Sequence, residues 1–98
     1  MDIRQINYTT DAFSSLIQLI NYIESSNTQG AGLRWLHRFE LFLKKKLQAP
    51  LQIKLCNNAA FAQLNLRCIY FNDWVIAFSA EENIVLIEAL LHKSRISD

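Results

Sequence analysis

The sequence has few chain-breaking residues and no long apolar run. Its 98 residues include only two glycines and one proline, which excludes collagen-like chains and chains dominated by linkers. No apolar run reaches the ~18 residues that are needed to cross a bilayer. The opening MDIRQINYTTDAF lacks the basic and apolar regions of a secretory signal. We therefore expect a cytoplasmic protein with no membrane segment.

An excess of charge of one sign is also lacking. Ten Lys and Arg residues against nine Asp and Glu residues give a net charge of +1, so bulk electrostatics makes no case for nucleic-acid binding. Hydrophobic residues make up 51% of the chain, which excludes disorder as a description of the whole. The length suits one core, and we expect a single domain over residues 1–98.

The two cysteines, Cys56 and Cys68, fit neither a CxxC metal pair nor a disulfide framework. Cys68 lies in an apolar alternation, which is typical of a small buried thiol. Neither histidine lies in an HExxH motif, and GxSxG and nucleotide-binding glycine loops are missing. The sequence therefore predicts reduced thiols, no metal, no cofactor and no classical hydrolase.

Apolar periodicity predicts a strand, two helices and three further strands. Thr9, Thr10 and Asp11 offer capping oxygens and an early negative charge at the first helix start. Asn72 and Asp73 tolerate positive φ and predict a two-residue turn, and a second turn is expected at residues 81–83. The expected elements are strand 3–9, helices 10–24 and 31–47, and strands 64–71, 74–80 and 84–91.

This order predicts an α+β fold in which an N-terminal strand and an antiparallel helical hairpin precede a three-stranded antiparallel meander. We expect the first strand to join the sheet, because its backbone needs ladder partners. Both faces of the meander are apolar, and the hairpin can cover only one of them. Either residues 48–62 and the tail cover the second face, or a partner chain does.

The polar candidates for chemistry lie on the predicted strands. Arg67 lies between apolar neighbours, where an unpaired guanidinium is costly if buried, so it is either a surface arginine or a ligand for an anion. His92, Lys93 and Arg95 form either a solvated tail or a cluster for phosphate binding or proton transfer. Two-residue turns place Arg67 and His92 on opposite faces, and a bulge would reverse this.

A basic stripe on the second helix, formed by Arg34, Arg38 and Lys45, is a further candidate. It either tracks a phosphate backbone or is the solvated side of an amphipathic helix. The balanced overall charge favours the solvated side.

Four segments, in their order and spacing, resemble the RelE/ParE superfamily of toxins from bacterial type II toxin–antitoxin systems. They are INYTTDAFSSLIQLINYI, FLKKKLQAP, LRCIYFNDWVIAF and ENIVLIEALLHKSR. The resemblance implies a small cytoplasmic toxin that an antitoxin neutralises. RelE-like members cleave mRNA on the ribosome, whereas ParE-like members poison DNA gyrase. By position, Arg67 resembles the family's mid-strand arginine, and His92 and Arg95 resemble the polar residues after the last strand, so these three are the catalytic candidates.

The chain also departs from that family. Its charge is nearly neutral, the segment NNAAFAQLN before Arg67 has no lysine pair, and tail tyrosines are missing. These departures argue against a competent ribonuclease and favour either a ParE-like member, which acts by binding protein, or a member that has lost toxicity. The alternatives are a RelE-like mRNA interferase and a non-toxic homodimeric interaction module.

Overall fold

The computed structural model describes residues 5–82 and 84–96 and has an α+β fold, as predicted. Two long helices follow the first strand, and the remaining strands come last. The elements are β1 (Gln5–Tyr8), α1 (Thr10–Ser26), α2 (Ala31–Lys46), α3 (Ala59–Gln63), β2 (Arg67–Phe71), β3 (Trp74–Glu81) and β4 (Ile84–His92), with 3-10 turns at Pro50–Gln52 and Lys93–Arg95. Part of the predicted first strand, residues 3–4, and one residue of the predicted second turn, Asn83, lie outside the described residues.

The strands form a four-stranded mixed sheet in the order β1-β4-β3-β2. The antiparallel pairs β2–β3 and β3–β4 make the predicted meander. Strand β1 joins the sheet as predicted, and it runs parallel to β4. Within the described part of the chain, no helix is long and apolar enough to cross a membrane.

Local side-chain bonds fix the helical hairpin. The Thr9 hydroxyl accepts the Ala12 N–H at 3.1 Å, so the first of the three predicted capping residues caps α1. In the link, Gly30 has φ +86°, a value that glycine adopts without steric cost. The Glu24 carboxylate accepts the N–H groups of Gly30 and Gly32 at 2.8 and 2.9 Å. A side chain of α1 therefore holds the start of α2.

The main core lies between the hairpin and one face of the sheet. The predicted stripe of α2 is buried at Phe39, Leu43 and Leu47. Phe13, which the α1 pattern placed in the apolar arc, is 53% exposed and packs edge-on against Tyr8. The fully buried sheet residues of this core are Ile76, Phe78, Val85 and Ile87.

The chain itself covers much of the second sheet face. Cys56 and Phe61, from the segment that periodicity left unassigned, and Ile96, from the tail, pack in a second apolar cluster with Cys68, Val75 and other residues of that face. Of the two alternatives for this face, the structure supports cover by the chain's own segments. The surplus apolar face is therefore no argument for a partner.

The prediction of two reduced thiols is wrong in this structure, because Cys56 and Cys68 form a disulfide. Cys68 is buried, as the apolar alternation indicated. The pairing was missed because residues 53–66 double back. The Cys56 N–H donates to the Leu66 carbonyl at 2.9 Å, and this brings the two Cα atoms to 4.9 Å.

The first strand of the meander begins later than predicted. Residues 59–63 form α3, which Asn58 caps by accepting the Phe61 N–H. Leu64 is the C-cap of this helix, and Asn65 after it has φ +60°. The Leu66 N–H returns to the Phe61 carbonyl and the Asn65 N–H to the Ala62 carbonyl, a common way to end a helix. The alternation of Leu64 and Leu66 therefore belongs to a helix end, not to a strand.

Candidate binding groove

An open groove of about 710 Å³ lies between α1 and the end of the sheet where β4 finishes. Its floor is apolar, with Leu19, Ile23 and Leu90 among the lining residues. Its rim carries Tyr22, which is 67% exposed. The described residues that line it are Ser15, Gln18, Leu19, Tyr22, Ile23, Trp74, Leu90, Leu91, His92, Ser94 and Arg95.

His92 lies at the sheet end of the groove and is held on two sides. Its ring contacts Trp74 edge-on, with 5.2 Å between ring centroids, and the two residues are paired in the sheet register. The Ser94 N–H donates to His92 Nδ1 at 3.1 Å. A neutral His92 ring therefore carries its proton on Nε2, because Nδ1 is already an acceptor.

The groove is basic at this end. Arg95 lies in the 3-10 turn that follows β4 and lines the groove beside His92. Lys93 does not line the groove, and its ammonium contacts the Asp73 carboxylate at 3.0 Å. That contact holds the pKa of Asp73 below its usual value. Of the described residues that line the groove, none is acidic. The Arg95 guanidinium therefore has no acidic partner among them, and this end of the groove is positively charged.

Arg67 lies elsewhere in the structure. Its half-buried side chain donates to the Ile53 carbonyl. In register, Arg67 is opposite Phe78, whereas His92 is opposite Trp74 at the other end of β3. Strands rise about 3.3 Å per residue and lie about 4.8 Å apart. The two positions differ by four residues along the sheet and by two strands across it, so roughly 16 Å separates them. His92 and Arg95 share a site, and Arg67 is not part of it.

A β-bulge puts Arg67 and His92 on the same sheet face. Phe78 pairs with Ile87 and Ala77 pairs with Ala89, so Glu88 is the extra residue on β4. One inserted residue reverses the side-chain alternation beyond it. The opposite-face placement from two-residue turns therefore does not hold, and the bulge is the reason.

The basic stripe of α2 lies on the solvent side, as its charge pattern favoured. Arg34, Arg38 and Lys45 are all exposed. Arg34 donates to the Gln29 carbonyl and the Thr28 hydroxyl, so it serves the hairpin link. Across residues 5–82 and 84–96, no group of three His, Cys, Asp or Glu residues could hold a metal ion.

Sequence reasoning missed the helical side of the groove. Ser15, Gln18 and Tyr22 line the groove but lie outside the apolar arc of α1, so apolar periodicity does not identify them. The only signal was Tyr22, an aromatic residue on the polar side of an amphipathic helix. A scan of protein-family models finds no match to this chain, and a search of curated proteins finds no similar sequence.

Proposed function

We propose that this chain is the toxin component of a type II toxin–antitoxin system, ParE-like in acting by protein binding, and that a cognate antitoxin neutralises it. The proposal extends the resemblance to the RelE/ParE superfamily, with one domain over residues 1–98. The observation that carries it is the groove between α1 and β4, which has an apolar floor and a basic end. Such a surface suits an acidic segment of a protein partner.

The decisive experiment is controlled expression in a bacterial host. Induction of the chain should arrest growth, and co-expression of the protein encoded next to its gene should restore growth. The two proteins should also purify as a complex. Harmless induction with a stable homodimer by light scattering would support the non-toxic interaction module instead.

The target of a ParE-like toxin is DNA gyrase, and this can be tested directly. Purified gyrase should lose supercoiling activity when the chain is added, and regain it when the antitoxin is added first. If mRNA on the ribosomes of the arrested cells stays intact, gyrase inhibition and not RNA cleavage is the cause of the arrest. Unchanged gyrase activity at molar excess of the chain would remove the ParE-like mode.

A RelE-like mRNA interferase is the second candidate, because His92 and Arg95 line one groove. There a histidine can transfer a proton and an arginine can stabilise a phosphate oxyanion. Arg67 would take no part at this site, because it does not line the groove and its guanidinium donates to the Ile53 carbonyl. Ribosome-dependent cleavage by the wild type, lost in His92→Ala and Arg95→Ala, would establish this activity. No cleavage by the wild type would remove it.

A cytoplasmic location belongs to the same proposal, because both candidate targets are cytoplasmic. Glutathione and thioredoxin keep most cytoplasmic thiols reduced. The proposed toxin must therefore fold with Cys56 and Cys68 unlinked, and this requirement can be measured.

A further inference from the structure

Strand β4 continues past the point where the neighbouring strand β1 ends. Among the described residues, β1 pairs with residues 84–87. The chain then leaves the sheet, because Thr9 donates its N–H to the Ile87 carbonyl and caps α1. Strand β4 continues to His92. Among the described residues, no strand pairs with residues 88–92 on the β1 side.

This leaves an open lane in the sheet, which we define as the strand position in line with β1 and beside residues 88–92. Helix α1 borders the lane, since Ser15, Gln18 and Tyr22 line the same groove as Leu90 and His92. Thr9 closes one end of the lane, with its hydroxyl 3.4 Å from the Glu88 carbonyl. The other end opens toward Arg95.

We propose that an extended segment of a partner protein enters this lane and pairs with β4 as a fifth strand. The inference rests on the proposed function, because it names the surface through which the antitoxin binds. Strand edges bind peptides in this way because backbone hydrogen bonds supply affinity and alternate side chains supply specificity. The lane admits about five residues, the length of β4 beyond its pairing with β1.

The groove also defines the chemistry of that segment. Alternate side chains of an added strand point to one sheet face, so every second residue meets the apolar floor formed by Leu19 and Leu90. The basic end at His92 and Arg95, with no acidic lining residue, selects a carboxylate there. The occupant is therefore an extended segment with alternating apolar residues and an Asp or Glu at the Arg95 end.

A matched pair of variants on α1 tests the lane. Ser15→Trp puts a large ring into the groove, whereas Ser14→Trp puts the same ring on an exposed neighbour that does not line it. Binding of the protein encoded next to the gene is measured by calorimetry. We expect Ser15→Trp to weaken binding by about tenfold or more, the size of a hot-spot loss, and Ser14→Trp to leave it unchanged.

Arg95→Glu is a second variant in case Ser15→Trp does not fold, and Arg38→Glu on the solvent side of α2 is its control. Reversal of the charge at the rim should slow association by about tenfold at low salt. Hydrogen exchange then identifies the binding mode. Among residues 88–92, the amides that point away from β3 should gain protection in the complex, because an added strand would accept hydrogen bonds from them.

The outcomes separate the lane from the proposed function. The neighbouring protein could bind equally well to both tryptophan variants and leave residues 88–92 unprotected. That result would contradict strand addition in the lane and leave the toxin–antitoxin proposal standing. If that protein does not bind, a synthetic heptapeptide with alternating valines and terminal glutamates is the probe. Binding of this peptide, but not of its lysine counterpart, with protection of residues 88–92 supports the lane alone. No binding by either probe overturns the lane.

Discussion

The guanidinium of Arg67 donates a hydrogen bond to the backbone carbonyl of Ile53, fourteen positions earlier in the chain. Leu55 extends this contact by forming an isolated bridge with Arg67. The bond ties the segment that follows α2 to the first residue of β2. These contacts give Arg67 a structural role in this fold, and the alternative of an anion ligand stays a prediction.

We expect Arg67→Ala to lower the free energy of unfolding by about 1.5–3 kcal/mol, because it removes a charged donor from a half-buried carbonyl. Arg67→Lys should recover part of that loss. Urea denaturation followed by circular dichroism measures both. Arg38→Ala, at an exposed position on α2, is the control and should leave stability unchanged. A stable Arg67→Ala variant that has lost growth arrest would instead favour a role in binding or catalysis.

The disulfide should stabilise the fold without being required for it. Closing a loop of this length in the unfolded chain is worth about 3 kcal/mol. The double variant Cys56→Ala/Cys68→Ala should therefore unfold at lower urea, and dithiothreitol should shift the wild type in the same direction. The double variant itself should not respond to dithiothreitol. Free thiols in the purified protein, counted under denaturing conditions, would show that the bond does not form.

Gly32 of α2 packs directly against the backbone of α1. A Cβ atom there would lie 2.8 Å from the Ile20 carbonyl oxygen and 3.0 Å from Ile20 Cγ2. Alanine is the better helix former by about 1 kcal/mol, but the clash should outweigh this and cost about 1–3 kcal/mol net. Thermal unfolding of Gly32→Ala measures the sign. A variant more stable than the wild type would mean that the helices can move apart at little cost.

The sequence predicted the elements whose apolar period is long and regular. Helices α1 and α2 begin at the predicted Thr10 and Ala31, because a capping threonine and a glycine link mark those positions. Strands β3 and β4 begin at the predicted Trp74 and Ile84. These features depend on local chemistry, which a sequence displays.

The features that were missed depend on contacts between distant segments. Nothing around Glu88 marks the bulge that turns His92 to the face of Arg67. The pairing of Cys56 with Cys68 depends on how residues 53–66 double back. The groove depends on β4 continuing past the end of β1. Strand β1 ends there because Thr9 caps α1. Periodicity reports none of these relationships.

The Glu24 carboxylate should make the stability of the hairpin depend on pH. Hydrogen bonds from the Gly30 and Gly32 N–H groups lower its pKa in the folded protein, with a smaller contribution from Arg34. A carboxyl group whose folded pKa is depressed stabilises the fold fully above its unfolded pKa, and this stabilisation is lost as the pH falls through the folded pKa. Acid should therefore weaken the link between α1 and α2.

Glu24→Gln tests this dependence, because an amide has one acceptor oxygen and no charge. At neutral pH the variant should melt below the wild type. The gap in Tm should close as the pH falls below the usual range of carboxyl groups, because the wild-type carboxylate becomes protonated. Glu81→Gln, at an exposed strand end, is the matched control and should show a small gap that does not change with pH. A Glu24→Gln gap that stays constant from neutral to acid pH would contradict the assignment of the acid-sensitive link to this carboxylate.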